Sequence, residues 1–348
     1  SHAAAAESIA AARSAAERRI AGVVFMANST GGMVRTVQID DPADPRLADY
    51  ADVKERQHDG AFGPSGSGDP CAPFGKFYAE GKVVLRHLVR SGYTTLSVLA
   101  TQAQAEANTA DLSLLPPHVP VYTLAHDLME RVIGFTIHRG LLAVGARKRP
   151  MTTDQLLNDV HGVLGPMVVL EDLSNHDNVG GIFRNAAALG ASGVLLSPRC
   201  ADPLYRKSLR VSVGLALRIP WAIAGDWPGD LRLLHAAGVE TLAMTPNGNR
   251  MLSDVGGDAG GAGRRLALMI GAEGPGLTPE AMAQATHRVS VPMAQGVDSL
   301  NAATACAVAL YEISRLRGTG GGGGASDEGA GAPPAPRAET PAGAQERL

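Results

Sequence analysis

The 348-residue sequence predicts two α/β domains in series, the second built on a parallel sheet. Two observations carry that expectation. In the C-terminal half, apolar runs of four or five residues alternate with helical stretches, and the runs are continuous, as in strands covered on both faces. Hydrophobic residues make up 45% of the chain, enough to bury two cores.

Residues 1–44 read as an N-terminal extension, partly disordered. The stretch 3–20 has helix-forming composition with few apolar anchors. Ser1-His2 suits a tag remnant, with Met26 or Met33 as alternative starts. Residues 45–149 form the first, smaller α/β domain. Its helix at 80–91 places Val83, Val84, His87 and Leu88 on one side. Strands are expected at 94–99 and 119–124, a helix at 127–133, and a last apolar run at 140–144. A Gly- and Pro-rich island at 60–75 interrupts this domain as a surface loop. Arg147-Lys148-Arg149-Pro150 closes it, and 150–164 is a linker.

The second domain covers 165–317. Strands are expected at 167–170, 193–196, 219–223, 241–244, 266–270 and 288–291. Helices are expected at 180–189, 203–209, 231–237, 279–284 and 299–316. The tail, 318–348, holds 9 Gly and 4 Pro in 31 residues without a hydrophobic period, and reads as disordered.

Net charge is −3, unevenly spread. The tail has four acids and two bases (−2); residues 45–149 have 12 Lys/Arg against 10 Asp/Glu (+2). A basic region within an acidic chain suits a polyanionic partner. Cys71, Cys200 and Cys306 are odd in number and far apart, which excludes a disulfide framework and any Cys-x-x-Cys site. With no membrane-length apolar run and no secretory signal, the expected compartment is the reducing cytoplasm. The ten histidines form no ligand spacing, so no metal is expected.

In an open parallel sheet, ligands bind beyond the carboxyl ends of the strands. The loops there are polar and glycine-rich. After Leu170 comes E-D-L-S-N-H-D-N-V-G-G-I-F-R-N; after Met244, T-P-N-G-N; after Ile270, G-A-E-G-P-G-L; after Val291, P-M-A-Q-G-V-D-S-L-N. No G-x-G-x-x-G follows a strand, the single Gly-Lys pair lacks the other P-loop residues, and no G-x-S-x-G joins a strand to a helix. Dinucleotide dehydrogenases, P-loop NTPases and serine hydrolases are excluded.

The segments N-V-G-G-I-F-R-N (178–185), I-G-A-E-G-P-G-L (270–277) and V-P-M-A-Q-G-V-D-S-L-N (291–301) resemble the three signature motifs of the SpoU/TrmH branch of the SPOUT RNA methyltransferases, in the family's order. The likeness covers about residues 165–317. Residues 45–149 are similar, more loosely, to the ribosomal-protein-type domain that precedes the methyltransferase domain in many members and helps to bind RNA. The resemblance implies S-adenosylmethionine as donor, 2′-O-ribose methylation of rRNA or tRNA with rRNA slightly favoured, and a homodimer with a C-terminal trefoil knot. A knot runs against the rule that chains do not thread.

The same resemblance assigns roles. Arg184 has a catalytic part; because a guanidinium is not deprotonated in proteins, it is expected to orient phosphate and stabilise a developing alkoxide. Asn178 is a catalytic-site asparagine that equally suits the helix N-cap. Glu273 organises the active-site loop by pairing with Arg184. Ser299 and Asn301 open the last helix as caps, and position the arginine and the substrate ribose. Thr245, Gly271, Val291, Met293 and Leu300 line the cofactor site; the aliphatic ones would otherwise be ordinary core. Arg206, Lys207 and Arg210 lie on one short helix, as a solvated face or as phosphate contacts. With aromatics at 4%, a base-stacking platform is not evident, and recognition by RNA shape and phosphate fits better. Two other functions fit the same fold: a non-catalytic RNA-binding ribosome-assembly factor, and a base-methylating SPOUT enzyme.

Overall fold

The computed structural model describes residues 23–27, 33–51, 53, 71–137, 140–258, 264–297 and 299–319. The expectations for the rest of the N-terminal extension, for most of the 60–75 island and for the tail beyond 319 lie outside the described residues.

The first sheet has six strands: β1 (Val23–Ala27), β2 (Met33–Gln38), β3 (Lys76–Glu80), β4 (Thr95–Thr101), β5 (Val121–Leu124) and β6 (Leu141–Ala146). Their order is β1-β2-β5-β4-β6-β3. β2, β5 and β4 run parallel, while β1, β6 and β3 pair antiparallel with their neighbours. Helix α1 (Lys82–Val89) buries Val84, Leu85 and Leu88; α2 (Gln102–Ala107), α3 (Thr109–Leu112) and α4 (His126–Ile133) follow.

Two sequence expectations change here. The segment taken as an extension contributes β1 and β2, and β2 is an inner strand with Thr36 fully buried. A six-residue strand whose parallel partner lies more than eighty residues away leaves almost no local signal. The helix expected from 80 starts at Lys82, because Glu80 ends β3 and Gly81 turns the chain at φ +87°, a conformation that needs glycine.

The expected linker is a helix of the second domain. In α5 (Thr153–Asp159) the Thr152 side chain caps the Gln155 amide, and Gln155 reciprocates to the Thr152 amide at 2.9 Å. Leu156, Leu157 and Val160 pack against Leu195, Ala222 and Leu231.

The second sheet has seven parallel strands: β7 (Met167–Leu170), β8 (Gly193–Leu196), β9 (Trp221–Ile223), β10 (Val239–Met244), β11 (Arg250–Met251), β12 (Arg265–Ile270) and β13 (His287–Ser290). The order is β11-β13-β10-β12-β7-β8-β9. Its helices are α6 (His176–Ala188), α7 (Arg206–Val211), α8 (Leu231–Ala236), α9 (Leu252–Asp258), α10 (Pro279–Gln284) and α11 (Ala302–Thr319). The six expected strands are present; β11 and α9 are additions. The all-apolar strands read correctly because both faces are covered: Met167, Val168, Val169 and Leu170 are each at most 2% exposed.

One apolar cluster runs through both units. Phe77, Val84, Leu85 and Leu88 of the first join Leu204, Leu209, Leu217 and Trp221 of the second. At Gly214 (φ +84°) the chain passes so close to α1 that a Cβ would meet the Val84 Cα and the His87 Cβ at 3.1 Å. Buried ion pairs clamp the same seam: Arg147 with Asp202, and Arg206 with Glu80 at 2.6 Å.

Candidate active site

Helix α6 leaves the carboxyl end of β7 and carries the first cluster of site residues. The Asn175 side chain caps it, accepting from the Asp177 amide at 2.8 Å. Asn178, which the sequence equally allowed as the cap, is therefore three residues inside the helix, with its side chain free to act elsewhere. Two consecutive glycines follow for packing reasons. A Cβ on Gly180 would meet the Ser208 carbonyl oxygen at 2.7 Å and the Val211 Cβ at 2.8 Å; one on Gly181 would meet the Ala303 Cβ at 2.9 Å. The missing Cβ atoms let α7 and α11 close on two adjoining flanks of α6. Asn185 fastens the second contact, its Nδ2 donating to the Ala303 carbonyl at 2.8 Å.

Across this junction three motif side chains meet. Asn178, 4% exposed, donates through Nδ2 to Glu273 Oε1. Asn301 Nδ2 donates to Asn178 Oδ1 at 2.8 Å and reaches the same Glu273 oxygen at 3.4 Å. Asn301 Oδ1 meanwhile accepts from the Ala303 and Thr304 amides at 3.0 and 3.3 Å, so it caps α11 and bridges to the other motifs with one side chain. Glu273 Oε2 has no hydrogen bond among the described residues.

Arg184 lies one turn beyond Gly180. It is exposed and makes no ion pair or hydrogen bond with the described residues. The expected pairing with Glu273 is not formed; that carboxylate is held through Oε1 by the two asparagines instead. Ser299 is exposed ahead of the cap and makes no hydrogen bond with the described residues.

The remaining loops emerge side by side, because β13, β10 and β12 are neighbours. The Thr245 amide donates to the Val289 carbonyl at 3.0 Å, and a Cβ on Gly248 would meet the Val289 carbonyl carbon at 2.5 Å. The loop after β10 thus lies directly on the end of β13. In the turn after β12, Gly276 N donates to Ala272 O at 2.9 Å, and Gly271 packs on the backbone of Gly276 and Leu277 too closely for any side chain. Gly274 (φ +86°), Gly276 (φ +73°) and Gly296 (φ +81°) have open space where a Cβ would sit. Thr245, Gly271, Val291 and Met293 are half-buried on these loops, and Leu300 is 40% exposed. Open glycine backbone beside half-buried aliphatic side chains leaves room for a small ligand to approach the main chain.

A match to the family described as SpoU rRNA Methylase spans residues 165–311. An uncharacterized tRNA/rRNA methyltransferase of Mycobacterium tuberculosis is 40% identical over 279 residues, covering 79% of this chain and 90% of the relative. The chain belongs to the SpoU methylase family. Two solved structures share its fold. An rRNA methyltransferase of Sinorhizobium meliloti bound to S-adenosylmethionine has a TM-score of 0.64 at 23% identity, covering 80% of this chain and 98% of its own. The SpoU methyltransferase AviRb of Streptomyces viridochromogenes, also with that cofactor, has a TM-score of 0.63 at 22% identity, covering 79% and 100%. S-adenosylmethionine is the methyl donor of the SpoU family.

Within this SpoU member the basic triplet of α7 divides. Arg206 is largely buried: it pairs with Glu80 and lies over the Phe135 ring at 4.2 Å, so it is a fastener of the seam rather than an open phosphate contact. Lys207 and Arg210 stay half-exposed, Lys207 against Asp177 at 2.6 Å and Arg210 at 3.9 Å from Glu80. Arg147 of the basic run is likewise taken by Asp202. Among the described residues no group of His, Cys, Asp and Glu could hold a metal, and no helix is long and apolar enough to cross a membrane.

Two residues of the site are not among the sequence expectations. Asn185 ends the first motif and ties α6 to α11. Glu171 directly follows β7, is 1% exposed, and its carboxylate takes three hydrogen bonds. An acid directly after four continuous core residues was the available signal.

Proposed function

We propose that the protein is an S-adenosylmethionine-dependent RNA methyltransferase that methylates a ribose 2′-oxygen in structured RNA, with rRNA slightly favoured over tRNA. One observation carries the reading: Asn178, Glu273 and Asn301, from three separate motifs, share one hydrogen-bonded cluster on the helix that bears an unengaged Arg184. The 40% identical tRNA/rRNA methyltransferase supports the RNA substrate class.

When bound, S-adenosylmethionine supplies a sulfonium methyl for in-line transfer to an oxygen. Thr245, Gly271, Val291, Met293 and Leu300 would hold it, chiefly through backbone groups and apolar contact. The protein's own contribution is placement and charge. Arg184, permanently cationic, orients the RNA phosphate and stabilises the oxyanion as the hydroxyl passes its proton to solvent water. Asn178 and Asn301 fix Glu273 through Oε1, which leaves Oε2 to accept from a substrate donor. Ser299 and Asn301 position the ribose. Lys207 and Arg210 add phosphate contacts, and the first domain docks the RNA by shape.

The same reading includes a homodimer and the family's trefoil knot. Val308 and Tyr311 on α11, 42% and 60% exposed, with Val297 and Leu300 nearby in sequence, are apolar residues that a second copy would cover. The close passage of the 245–248 loop over the end of β13 supports the knot.

The test is methyl transfer from labelled S-adenosylmethionine to total RNA, then nuclease digestion and mass spectrometry. Label on ribose in rRNA is expected. A base adduct favours the base-methylating alternative. No incorporation by a folded, cofactor-bound protein favours a non-catalytic assembly factor.

A further inference from the structure

Glu171 is a carboxylate placed where a side chain of this kind is costly. It is 1% exposed, just past the carboxyl end of the inner strand β7; among the described residues it forms no ion pair, and Arg199, which pairs with the neighbouring Asp172, acts on it only through space. Burial of a carboxylate is tolerated only when its lone pairs are met by well-placed donors. Here three donors do so. Trp227 Nε1 donates to Oε1 at 2.6 Å; Thr278 Oγ1 donates to Oε1 at 2.7 Å; the Thr278 amide donates to Oε2 at 2.8 Å. The Glu171 amide in turn donates to the Ile270 carbonyl at 2.9 Å.

The partners come from two loops at the same end of the sheet. Trp227 lies beyond β9. Thr278 closes the 271–277 turn and caps α10, accepting from the Ala281 amide at 3.2 Å. Ile270 opens that turn. Glu171 therefore grips the turn that carries Gly271 and Glu273 at both its ends, through backbone at Ile270 and through its carboxylate at Thr278. Between those anchors the turn contains glycines at positive φ and has little stiffness of its own.

We propose that Glu171 is a positioning residue for the cofactor site: it holds both ends of the 271–277 turn, and through them sets where the turn's backbone and Glu273 sit. A carboxylate is needed because all the donors that converge there are N–H or O–H groups. Glutamine would bring an NH₂ against one of them. The inference rests on the cofactor assignment above and is independent of whether the methyl acceptor is ribose or base.

The test uses the full-length chain in four variants: Glu171→Gln, Thr278→Val, Thr278→Ser and Trp227→Phe. Two quantities are read without RNA: the calorimetric Kd for S-adenosylmethionine, and amide hydrogen exchange across 271–277 in the ligand-free protein. Glu171→Gln and Thr278→Val are expected to raise Kd at least tenfold and to speed exchange of the turn, while Thr278→Ser restores both. Trp227→Phe keeps an aromatic ring and removes one donor, so a smaller shift in the same direction is expected from a fold that stays intact. A lowered melting temperature with Kd within twofold of the unaltered protein and unchanged exchange would overturn the proposal. Failure of the unaltered protein to take S-adenosylmethionine would count against the function reading, and the exchange rates alone would then decide on Glu171.

Discussion

Asn301 donates through Nδ2 to Asn178 Oδ1 at 2.8 Å, although the two residues are 123 positions apart. The same Asn301 caps α11 with its oxygen. The two ends of one amide thus tie the helix that ends the described fold to the helix that carries Arg184. This dual use separates stability from chemistry in a mutant series. Asn301→Asp retains the capping oxygen but loses the donor and sets a second carboxylate against Glu273. Asn301→Ala loses both. The alanine variant is expected to lose about 1 kcal/mol from the cap, while the aspartate variant keeps the cap but loses as much methyl transfer. Thermal melts beside initial rates check this; equal rates in the aspartate variant and the parent would refute the bridge's part in the reaction.

Arg184 has no competing partner among the described residues, so its removal leaves no buried charge behind. Arg184→Ala is expected to keep its melting temperature and to bind S-adenosylmethionine within about twofold, yet to lose about 10²–10³ in turnover, the scale for removing one stabiliser of a developing oxyanion. Single-turnover methyl transfer is the measurement. Survival of activity would take Arg184 out of the mechanism.

The α7 cations should behave as two kinds. Lys207→Gln and Arg210→Gln leave the fold alone and each lower the log–log salt slope of RNA binding by about 1. Arg206→Gln instead removes the nearer cation from Glu80, 7% exposed at its side chain, leaving only Arg210 at 3.9 Å, and costs on the order of 3 kcal/mol. Urea titration and filter binding over a salt series tell the two apart. A stability loss at Lys207, or none at Arg206, would contradict the division.

His87 gives the seam a pH dependence. Burial, and then the Arg218, Arg86 and Arg90 guanidiniums, lower its pKa from the usual 6.5. Above 6.5 both folded and unfolded chains hold the ring neutral, so its contribution is fully retained. As pH falls below that value the unfolded chain takes the proton first, and stability declines until the folded ring also titrates. His87→Gln should flatten stability between pH 6.5 and 5 relative to the parent. Parallel denaturation curves for the two proteins across that window would refute it.

The sequence was most informative where burial is two-sided. Strands 167–170 and 193–196 were read to the residue, since a fully covered strand is apolar at every position. It was least informative where pairing is distant: β1 and β2 passed for an extension, and α5 for a linker, though Leu156 and Leu157 are core. The glycines of the motifs announced close approach without saying what approached. Gly180 and Gly181 meet two different helices, which no one-dimensional spacing conveys.

By itself, the sequence determined the chemistry on offer: an arginine, two asparagines and a glutamate in glycine-rich segments at strand ends. Only the tertiary structure decided which of these meet. The strand order β13-β10-β12-β7 sets the three motif loops beside one another, and hydrogen-bond geometry then awards Glu273 to Asn178 and Asn301 and leaves Arg184 unengaged. It also turned Arg206 inward and gave Glu171 its three donors. Side-chain partners depend on distances across a fold, and those are fixed by sheet order and burial rather than by neighbours in the chain.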